Sequence, residues 1–340
     1  MRFTEEMSEE MRSYHVEYGG GLDSLTIRDH PVPEPGAGEV LVRVRANSLN
    51  FRELSILRGQ YPLPVKPDVV ALSDGAGEVV ATGSEVDQVR VGDRVVGVVF
   101  PRWADGPFSF AVADQLGGSL DGMLTEYAVL RQDAVLRFPD HLSFSEAAAL
   151  PCAAVTAWNA LTGGRGVAPG ETVLTLGSGG VSLFAIQFAA LLGARVIATT
   201  ARPSNVDRLT ALGAAEVIDR SAASDWPDQV RKLTGGVDHV IDVAGHLDDS
   251  LRSVALGGEI AFVGTLAGAE PVDPRSIFAA GAVLRPIALG SRAHFSAMNE
   301  LISTHRLRPV IDTVFPFEQA VEAYRYYRDG QPFGKVVIAH

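Results

Sequence analysis

A glycine-rich turn in the middle of the chain has the residue types and spacing of a phosphate-binding loop. It consists of Gly177, Ser178, Gly179, Gly180 and Val181, between a short apolar segment and a longer one. Glycine at 177 permits a tight turn, and glycine at 179 and 180 lets the backbone approach a pyrophosphate closely. A helix that begins here presents free N–H groups and the positive end of its dipole to the anion. The motif predicts a dinucleotide cofactor, the alternative being a glycine-rich turn that binds nothing.

The residues after the next predicted strand indicate which dinucleotide is bound. An NAD site usually places Asp or Glu there, about 20 residues after the glycines, to hold the ribose 2′-hydroxyl. Here the strand ends at Thr200, and Arg202 follows with no carboxylate within residues 199–205. The planar guanidinium of an arginine pairs well with a phosphate. The sequence therefore favours NADPH, while NADH stays possible if Arg202 is only a solvated loop residue.

The segments around the glycine turn alternate between strand and helix patterns. Predicted strands lie at 173–176, 195–200, 216–219, 238–243 and 258–264, and predicted helices at 181–192 and 205–212. The strands are nearly continuous apolar runs, as expected for a parallel sheet that helices cover on both faces. The sequence thus predicts a doubly wound α/β domain.

The two ends of the chain have a different character. Charged residues dominate the first dozen positions, so residues 1–12 are predicted to form a loose tail. Alternating apolar and polar residues then predict strands at 40–46, 75–81 and 91–99. Gly, Asp, Ser and Pro predict a long surface loop at 101–122. Predicted elements beyond residue 290 are helices at 293–304 and 317–327 and strands at 311–315 and 334–338.

Composition limits the class of protein. The 340 residues suggest about two domains, and 46% hydrophobic with 21% charged residues is a globular composition. A net charge of −12 argues against a nucleic-acid partner, and no apolar run approaches the ~20 residues of a membrane span. The acidic N-terminus does not resemble a secretory signal. The single cysteine, Cys152, excludes disulfide scaffolds and a four-cysteine zinc lobe. We expect a cytoplasmic protein that acts on a small molecule.

Motifs along nearly the whole chain resemble those of the medium-chain dehydrogenase/reductase superfamily, in its zinc-independent quinone oxidoreductase-like branch. Besides the glycine turn, the resemblance is carried by residues 33–40, 46–52, 58–62, 73–79, 91–95, 147–158 and 212–219. It implies a GroES-like, mostly β catalytic domain formed by residues 13–152 and 291–340. It also implies a Rossmann domain over 153–290, with the active site in the cleft and homodimers that join edge strands within residues 255–290.

The same resemblance indicates whether this chain has the ligands of a catalytic zinc ion. At the positions where zinc-dependent relatives carry their first cysteine ligand and their histidine, this chain has Asn50 and Ser73, and Asp74 follows. Cys152 stands at the last ligand position, unless it is simply a small buried residue. Catalytic zinc needs three protein ligands, so we predict no metal.

Without a metal, small polar groups must stabilise the charge that develops on the acceptor oxygen. We predict that Asn50 donates a hydrogen bond to that oxygen, although it could instead cap a helix at Phe51. Tyr61 is the second candidate, as a proton donor or an aromatic wall. Ser73 and Asp74 are predicted to organise the floor of the pocket. The alternative for Asp74 is a structural role, in which its carboxylate accepts hydrogen bonds from the backbone of a turn.

Further cofactor contacts follow from the resemblance. Thr156 is expected near the nicotinamide ribose or carboxamide. Where many relatives carry a lysine and a tyrosine around the adenosine end, this chain has Asn205 and Arg220, and Arg202, Ser204 and Arg220 are predicted to replace those contacts. The remaining predicted contacts are the backbone at Val263, Gly264, Thr265, Leu289, Gly290 and Ser291, and a phosphate contact from Lys335.

Three functions are consistent with these features. The first is hydride transfer from NADPH to a quinone or an α,β-unsaturated carbonyl. The second is a metal-free alcohol dehydrogenase or carbonyl reductase. The third is a nucleotide-binding protein without turnover.

Overall fold

The computed structural model describes residues 9–222, 225–264 and 271–340, and these form two compact units. One unit joins the chain up to Cys152 with Ser291–His340, and the other is Ala153–Gly290. None of the helices in the described ranges combines the length and the apolar character needed to cross a bilayer.

The elements are numbered in chain order. The strands are β1 (Glu10–Val16), β2 (Thr26–Pro31), β3 (Glu39–Ser48), β4 (Val69–Val70), β5 (Asp74–Thr82), β6 (Arg94–Gly97), β7 (Tyr127–Arg131), β8 (Val135–Arg137), β9 (Thr172–Leu176), β10 (Arg195–Thr200), β11 (Ala214–Asp219), β12 (Val237–Asp242), β13 (Val254–Phe262), β14 (Val283–Pro286), β15 (Ile311–Pro316) and β16 (Lys335–Ala339). The helices are α1 (Phe51–Leu57), α2 (Phe144–Ala147), α3 (Val155–Thr162), α4 (Gly180–Leu191), α5 (Val206–Ala211), α6 (Trp226–Thr234), α7 (Leu247–Ser253), α8 (Pro274–Ala280), α9 (Arg292–His305) and α10 (Ala320–Asp329).

The first unit is built on an antiparallel framework around β3. Within the described chain, a seven-stranded sheet has the order β15-β16-β3-β5-β6-β8 with β7 also on β3, and β2-β1-β4 form a three-stranded sheet. Val40, Val42 and Val44 of β3 face the core and are at most 1% exposed, as the alternating pattern predicts. In the β3 register, Ser48 pairs with Asp74 of β5 and with Val337 of β16. The ends of these strands therefore meet beside Ser48.

Residues 10–12 of the predicted loose tail belong to a strand, and residues 1–8 of that tail lie outside the described residues. Strand β1 begins at Glu10, and Met11 is 5% exposed. Arg12 Nη2 lies 2.9 Å from Glu126 Oε1 and 3.0 Å from Glu318 Oε1. The charged residues of this segment are thus paired along a strand, a contact that composition alone does not reveal.

The predicted surface loop over 101–122 is largely irregular; residues 104–107 and 109–111 are exposed, while Trp103 and residues 115–118 are buried. Trp103 is 3% exposed and packs edge-to-face on Phe100 and Phe108, with ring centroids 6.2 and 5.1 Å apart. The Trp103 carbonyl accepts a 2.9 Å hydrogen bond from the Arg292 amide. The aromatic rings thus anchor the segment by a small cluster, while most residues around them are exposed, as expected for a surface loop.

The second unit is the predicted doubly wound α/β domain. Its six strands are parallel and follow the order β11-β10-β9-β12-β13-β14, the order of dinucleotide-binding folds. Strand β10 has the bounds that its sequence predicts, and β9, β11 and β12 agree within two residues. The connection reverses direction at β9, so the turn that follows this strand lies where such folds bind their ligands.

Candidate active site

The glycine turn after β9 has an open face. Gly177 has φ 82°, and its amide donates a 2.9 Å hydrogen bond to the Thr199 carbonyl. A β-carbon added at Gly177 or Gly179 would meet no atom within 4 Å. Gly179 is the N-cap of α4 and provides no side-chain cap for the first turn of that helix, which begins at Gly180. The turn thus leaves space for a pyrophosphate, and the uncapped first turn of α4 offers its N–H groups to it.

Ser182 holds the first turn of α4 against β9. Its side chain is fully buried, and its hydroxyl donates a 2.8 Å hydrogen bond to the Leu176 carbonyl. Helix and strand therefore approach closely at a position where such motifs usually carry a third glycine.

The predicted adenosine end brings Thr200, Arg202 and Arg220 together. The Arg202 amide donates to Thr200 Oγ1 at 3.1 Å, and the Arg220 amide donates to the Thr200 carbonyl at 2.7 Å. Arg220 Nε is buried and meets no hydrogen-bond acceptor among the described residues. Burial lowers the pKa of this guanidinium, while Asp249 and Asp242 act in the opposite direction. A buried donor without an acceptor fits a cofactor that brings acceptor oxygens; Ser204 lies exposed in the same turn.

The predicted nicotinamide contacts divide between the two units. The Val263 amide donates to the Asp242 carbonyl at 2.8 Å, and a β-carbon at Gly264 would lie 3.0 Å from the Val243 carbonyl oxygen. The carbonyl of Leu289 accepts a 2.6 Å bond from Asn159. Further predicted positions in the second unit are Thr156 in α3 and the buried Gly290, and Thr265 lies outside the described residues.

Ser291 does not have a free side chain for a cofactor. It belongs to the first unit, is 1% exposed and is the N-cap of α9. Its hydroxyl oxygen accepts a 3.2 Å hydrogen bond from the His294 amide. The His294 ring in turn accepts from the Ser291 amide at 3.1 Å. This capping box is the local role of the Ser291 side chain. The predicted cofactor contact concerns the backbone of this residue and stays a prediction.

The first unit holds a buried polar cluster at the ends of β3, β5 and β16. Asn50 occupies the N-cap position of α1, with φ −132° and ψ 163°, but its side chain makes no capping hydrogen bond. Its side-chain oxygen instead accepts a 2.5 Å hydrogen bond from Lys335 Nζ, which also donates to the Leu49 carbonyl at 2.6 Å. Lys335 is 3% exposed. Both of these hydrogen bonds lie inside the first unit, and the predicted contact of Lys335 with a cofactor phosphate stays a prediction.

Asp74 and Ser73 complete this side of the cluster, and both are fully buried. The Ser73 hydroxyl donates to Asp74 Oδ1 at 2.8 Å, and the Cys152 amide donates to Asp74 Oδ2 at 3.3 Å. Burial raises the pKa of the Asp74 carboxyl, opposed mainly by the positive charge of Lys335 and by the side chain of Asn50. The preceding Leu72 has φ 63°, an unusual conformation for this residue type that often accompanies functional sites.

Arg52 and Glu53 form a buried ion pair beside these residues. Arg52 Nη1 lies 3.2 Å from Glu53 Oε1, with both side chains at most 8% exposed. The guanidinium carbon of Arg52 lies 4.9 Å from the centroid of the Tyr61 ring, and Nε donates to Tyr61 Oη at 3.4 Å. Ser73 Oγ lies 3.4 Å from Glu53 Oε1 and connects the pair to Asp74. The sequence analysis missed Arg52 and Glu53, although two adjacent charges between apolar strand and helix residues were a signal of a buried pair.

These side chains do not fit a zinc ion. Asn50 and Ser73 offer a neutral amide and a hydroxyl, and the Asn50 oxygen is already engaged by an ammonium. Burial raises the pKa of the remaining thiol, Cys152, to about 12, with Asp74 contributing in the same direction. Zinc sites require deprotonated Cys, His or carboxylate ligands in a nearly tetrahedral set. Among the residues that the structure describes, no cluster of three or more His, Cys, Asp or Glu side chains is arranged to hold a metal.

Comparison with known proteins gives matches over almost the entire chain. Residues 36–140 match the family described as alcohol dehydrogenase GroES-like domain, and residues 180–304 match the family described as zinc-binding dehydrogenase. The zinc-type alcohol dehydrogenase-like protein C1773.06c of Schizosaccharomyces pombe is 41% identical over 332 residues, which cover 94% of this chain and 96% of that protein. The 2-methylene-furan-3-one reductase of Solanum lycopersicum is 31% identical over 341 residues, covering 97% of this chain and 79% of that enzyme. A crystal structure of an NAD-dependent alcohol dehydrogenase superposes with a TM-score of 0.87 at 33% identity, covering 97% of this chain and 99% of the other.

Proposed function

This chain belongs to the medium-chain dehydrogenase/reductase superfamily as an alcohol dehydrogenase-like oxidoreductase, and from that premise we propose that it reduces an α,β-unsaturated carbonyl or a quinone with NADPH and without zinc. Its membership in a family of nicotinamide-dependent enzymes sets aside the alternative of a nucleotide-binding protein without turnover. The observation that carries the proposal is the buried Asn50–Lys335 contact, in which an ammonium engages the residue that stands at the first metal-ligand position of zinc-dependent relatives.

Binding of the cofactor is assigned to the second unit. NADPH, when bound, supplies a hydride to the acceptor carbon. The backbone from Gly177 to Val181 binds the pyrophosphate, and Arg202 with Arg220 binds the 2′-phosphate. The unmet Nε of Arg220 supports this assignment, because a phosphate oxygen would give it an acceptor. NADH is the alternative cofactor, which the name of the superposed alcohol dehydrogenase favours.

Stabilisation of the acceptor oxygen is assigned to the first unit. Asn50 Nδ2 is a buried donor beside the Asp74 carboxyl that makes no hydrogen bond of regular geometry, so it can bind an oxygen on which negative charge develops. Tyr61 carries the proton that completes the reduction, and its hydroxyl oxygen accepts a hydrogen bond from Arg52 Nε, which holds the hydroxyl in place. Ser73 and Asp74 hold the surrounding pocket by their mutual hydrogen bond.

A metal-free alcohol dehydrogenase or carbonyl reductase is the second candidate, because the names of two of the similar proteins contain alcohol dehydrogenase. Steady-state oxidation of NADPH with enones, quinones, aldehydes and ketones distinguishes the two. We expect turnover with enones or quinones that is unchanged after dialysis against a chelator. Turnover with simple ketones and alcohols alone would contradict the first candidate, and loss of activity with the loss of stoichiometric zinc would contradict both.

We also propose that the protein forms a homodimer through β14. This strand is the edge of the six-stranded sheet, and Val283 and Leu284 on it are 57% and 37% exposed. An exposed apolar edge strand readily pairs with a second copy of itself.

A further inference from the structure

The orientation of the Asn50 side chain is fixed by the chemistry of its neighbour. A lysine ammonium has three hydrogen-bond donors and no acceptor. Since Lys335 Nζ lies 2.5 Å from the Asn50 side chain, the atom that faces it must be the amide oxygen. The NH2 group of Asn50 consequently faces away from Lys335. With a neutral or absent side chain at position 335, nothing in this contact would distinguish the two orientations of the amide.

The pairing of two strands, β3 and β16, places Lys335 beside Asn50. Strands β3 and β16 pair antiparallel with Ser48 opposite Val337, and the Leu49 amide donates to the Val336 carbonyl at 3.0 Å. Two residues beyond the pair Ser48–Val337, the same register places Lys335 opposite Asn50. The second hydrogen bond of Lys335, to the Leu49 carbonyl at 2.6 Å, ties its ammonium to the same strand end.

Two observations on Asn50 indicate that its side-chain NH2 group is available to bind a ligand. The residue stands at the N-cap of α1, where asparagine is favoured because it caps the helix, yet its side chain makes no capping bond. Its Nδ2 atom is buried beside the Asp74 carboxyl and makes no hydrogen bond of regular geometry to it or to another described residue. A buried donor without a well-aligned partner is unfavourable, so an acceptor oxygen entering this position would satisfy it better.

We propose that Lys335 is a positioning residue, which holds the Asn50 amide with its NH2 group towards the acceptor oxygen. This inference rests on the proposed function. In this arrangement Lys335 acts on the acceptor oxygen through Asn50. Its positive charge also repels a divalent ion from the position, so the same contact that orients Asn50 disfavours metal binding.

A double-mutant cycle between the two residues tests the proposal. The variants are Lys335→Met, Asn50→Ala and both together, assayed for kcat and KM with the best enone or quinone and for NADPH affinity by fluorescence. Each single change is expected to lower kcat about 10²-fold, as loss of an oxyanion donor does. The double variant should be no slower than Asn50→Ala, because Lys335 acts only through that amide. NADPH affinity should stay unchanged in all three.

The controls separate positioning from a structural role. Lys335→Arg keeps a donor-only cation and should recover part of the kcat that Lys335→Met loses. Lys66→Met removes a surface lysine that pairs with Asp121 in the same unit and should leave kcat unchanged. If Lys335→Met does not fold, the cycle is run with Lys335→Gln, a neutral side chain that can either donate to or accept from the Asn50 amide, and is judged by the same criteria.

Three outcomes would overturn the role of Lys335. Multiplicative losses in the double variant would show that the two residues act independently. A weaker affinity for NADPH with unchanged kcat would make Lys335 a cofactor contact, and a lower melting temperature with unchanged kcat would make it structural. A wild-type enzyme that reduces no enone or quinone would instead contradict the proposed function, so the two failures are distinguishable.

Discussion

The side-chain amide of Asn205 donates a 3.0 Å hydrogen bond from Nδ2 to the hydroxyl oxygen of Ser178. Ser178 lies in the glycine turn after β9, and Asn205 ends a short helical turn after β10. Asn205 is only 4% exposed, so the contact is a fixed link between the two segments that the proposed cofactor uses. We therefore expect Asn205 to hold these two segments together and not to contact a 2′-phosphate directly.

Asn205→Ala is expected to weaken binding of NADPH and NADH by similar factors of about 3–10, because one neutral hydrogen bond contributes about 1 kcal/mol. Arg202→Ala is the matched comparison and should weaken NADPH about tenfold or more without affecting NADH, since only NADPH carries the phosphate. Fluorescence titration with both dinucleotides measures each effect. A change confined to one dinucleotide in Asn205→Ala would contradict the indirect role of this residue.

Gly179→Val should separate cofactor binding from folding. Gly179 has φ −81° and ψ 174°, which any residue adopts, and a β-carbon there meets no atom within 4 Å. The free energy of unfolding without cofactor should change by less than about 0.5 kcal/mol, while affinity for the dinucleotide falls at least about tenfold. In contrast, Gly177→Ala forces a side chain onto φ 82° and should also lower stability, by about 1 kcal/mol. Undiminished cofactor affinity in Gly179→Val would place the pyrophosphate elsewhere.

The parallel sheet was the most predictable part of the fold, because each buried strand is a continuous apolar run between turn residues. Two other elements left no such signal. Strand β1 alternates charged and apolar residues beside a largely exposed partner strand, so its composition is that of a loose segment. Helix α6 is mostly polar and buries only Trp226, Pro227 and Val230. Tertiary contacts, rather than local pattern, determine both.

Of the candidate site, only the residues that belong to recognisable sequence motifs were predictable. Asn50, Ser73 and Asp74 stand in motifs near the ends of neighbouring strands, and the structure places them in one cluster. The contact of Lys335 with Asn50 joins residues 285 positions apart, and it depends on how β16 pairs with β3. No local property of the sequence encodes that pairing, so the sequence could not predict the contact between Lys335 and Asn50.

Arg285→Leu tests a buried ion pair that holds the edge of the second unit. Arg285 Nε donates to Glu259 Oε1 at 2.8 Å, Nη1 donates to Asn159 Oδ1 at 3.1 Å, and the Glu259 side chain is 5% exposed. The substitution leaves a buried carboxylate without its cation, which should cost about 3–5 kcal/mol in urea denaturation. The double variant Arg285→Leu with Glu259→Leu should be less destabilised than the single one. Removal of the exposed pair partner Arg275 serves as the control and should leave the unfolding midpoint unchanged.

The proposed dimer predicts a specific response at the sheet edge. Light scattering after gel filtration should give twice the chain mass of 36.1 kDa for the wild type. Val283→Lys places a charge on β14 and should shift the protein to the mass of one chain. Leu233→Lys, at a 45% exposed position on α6, should leave the dimer intact. A wild type with the mass of one chain, or a dimer that tolerates lysine at 283, would reject this interface.

Stability below neutral pH should depend on His239, which lies on β12 and is 1% exposed. Its Nε2 lies 3.1 Å from Glu171 Oε2 and 3.2 Å from Arg165 Nη2. Burial lowers the pKa of His239 below 6.5, with Glu171 opposing and Arg165 adding to the shift. The unfolded chain therefore binds the proton first as the pH falls through 6.5, so the free energy of unfolding decreases from there down to the folded-state pKa and is unaffected above. In urea titrations from pH 8 to 5, the free energy of unfolding of His239→Gln should decrease less than that of the wild type. The control His305→Gln, at an exposed position, should follow the wild type. Part of the decrease should remain in His239→Gln, because burial also lowers the pKa of His340, to about 4. Parallel curves for His239→Gln and the wild type would show that this histidine is protonated equally in both states.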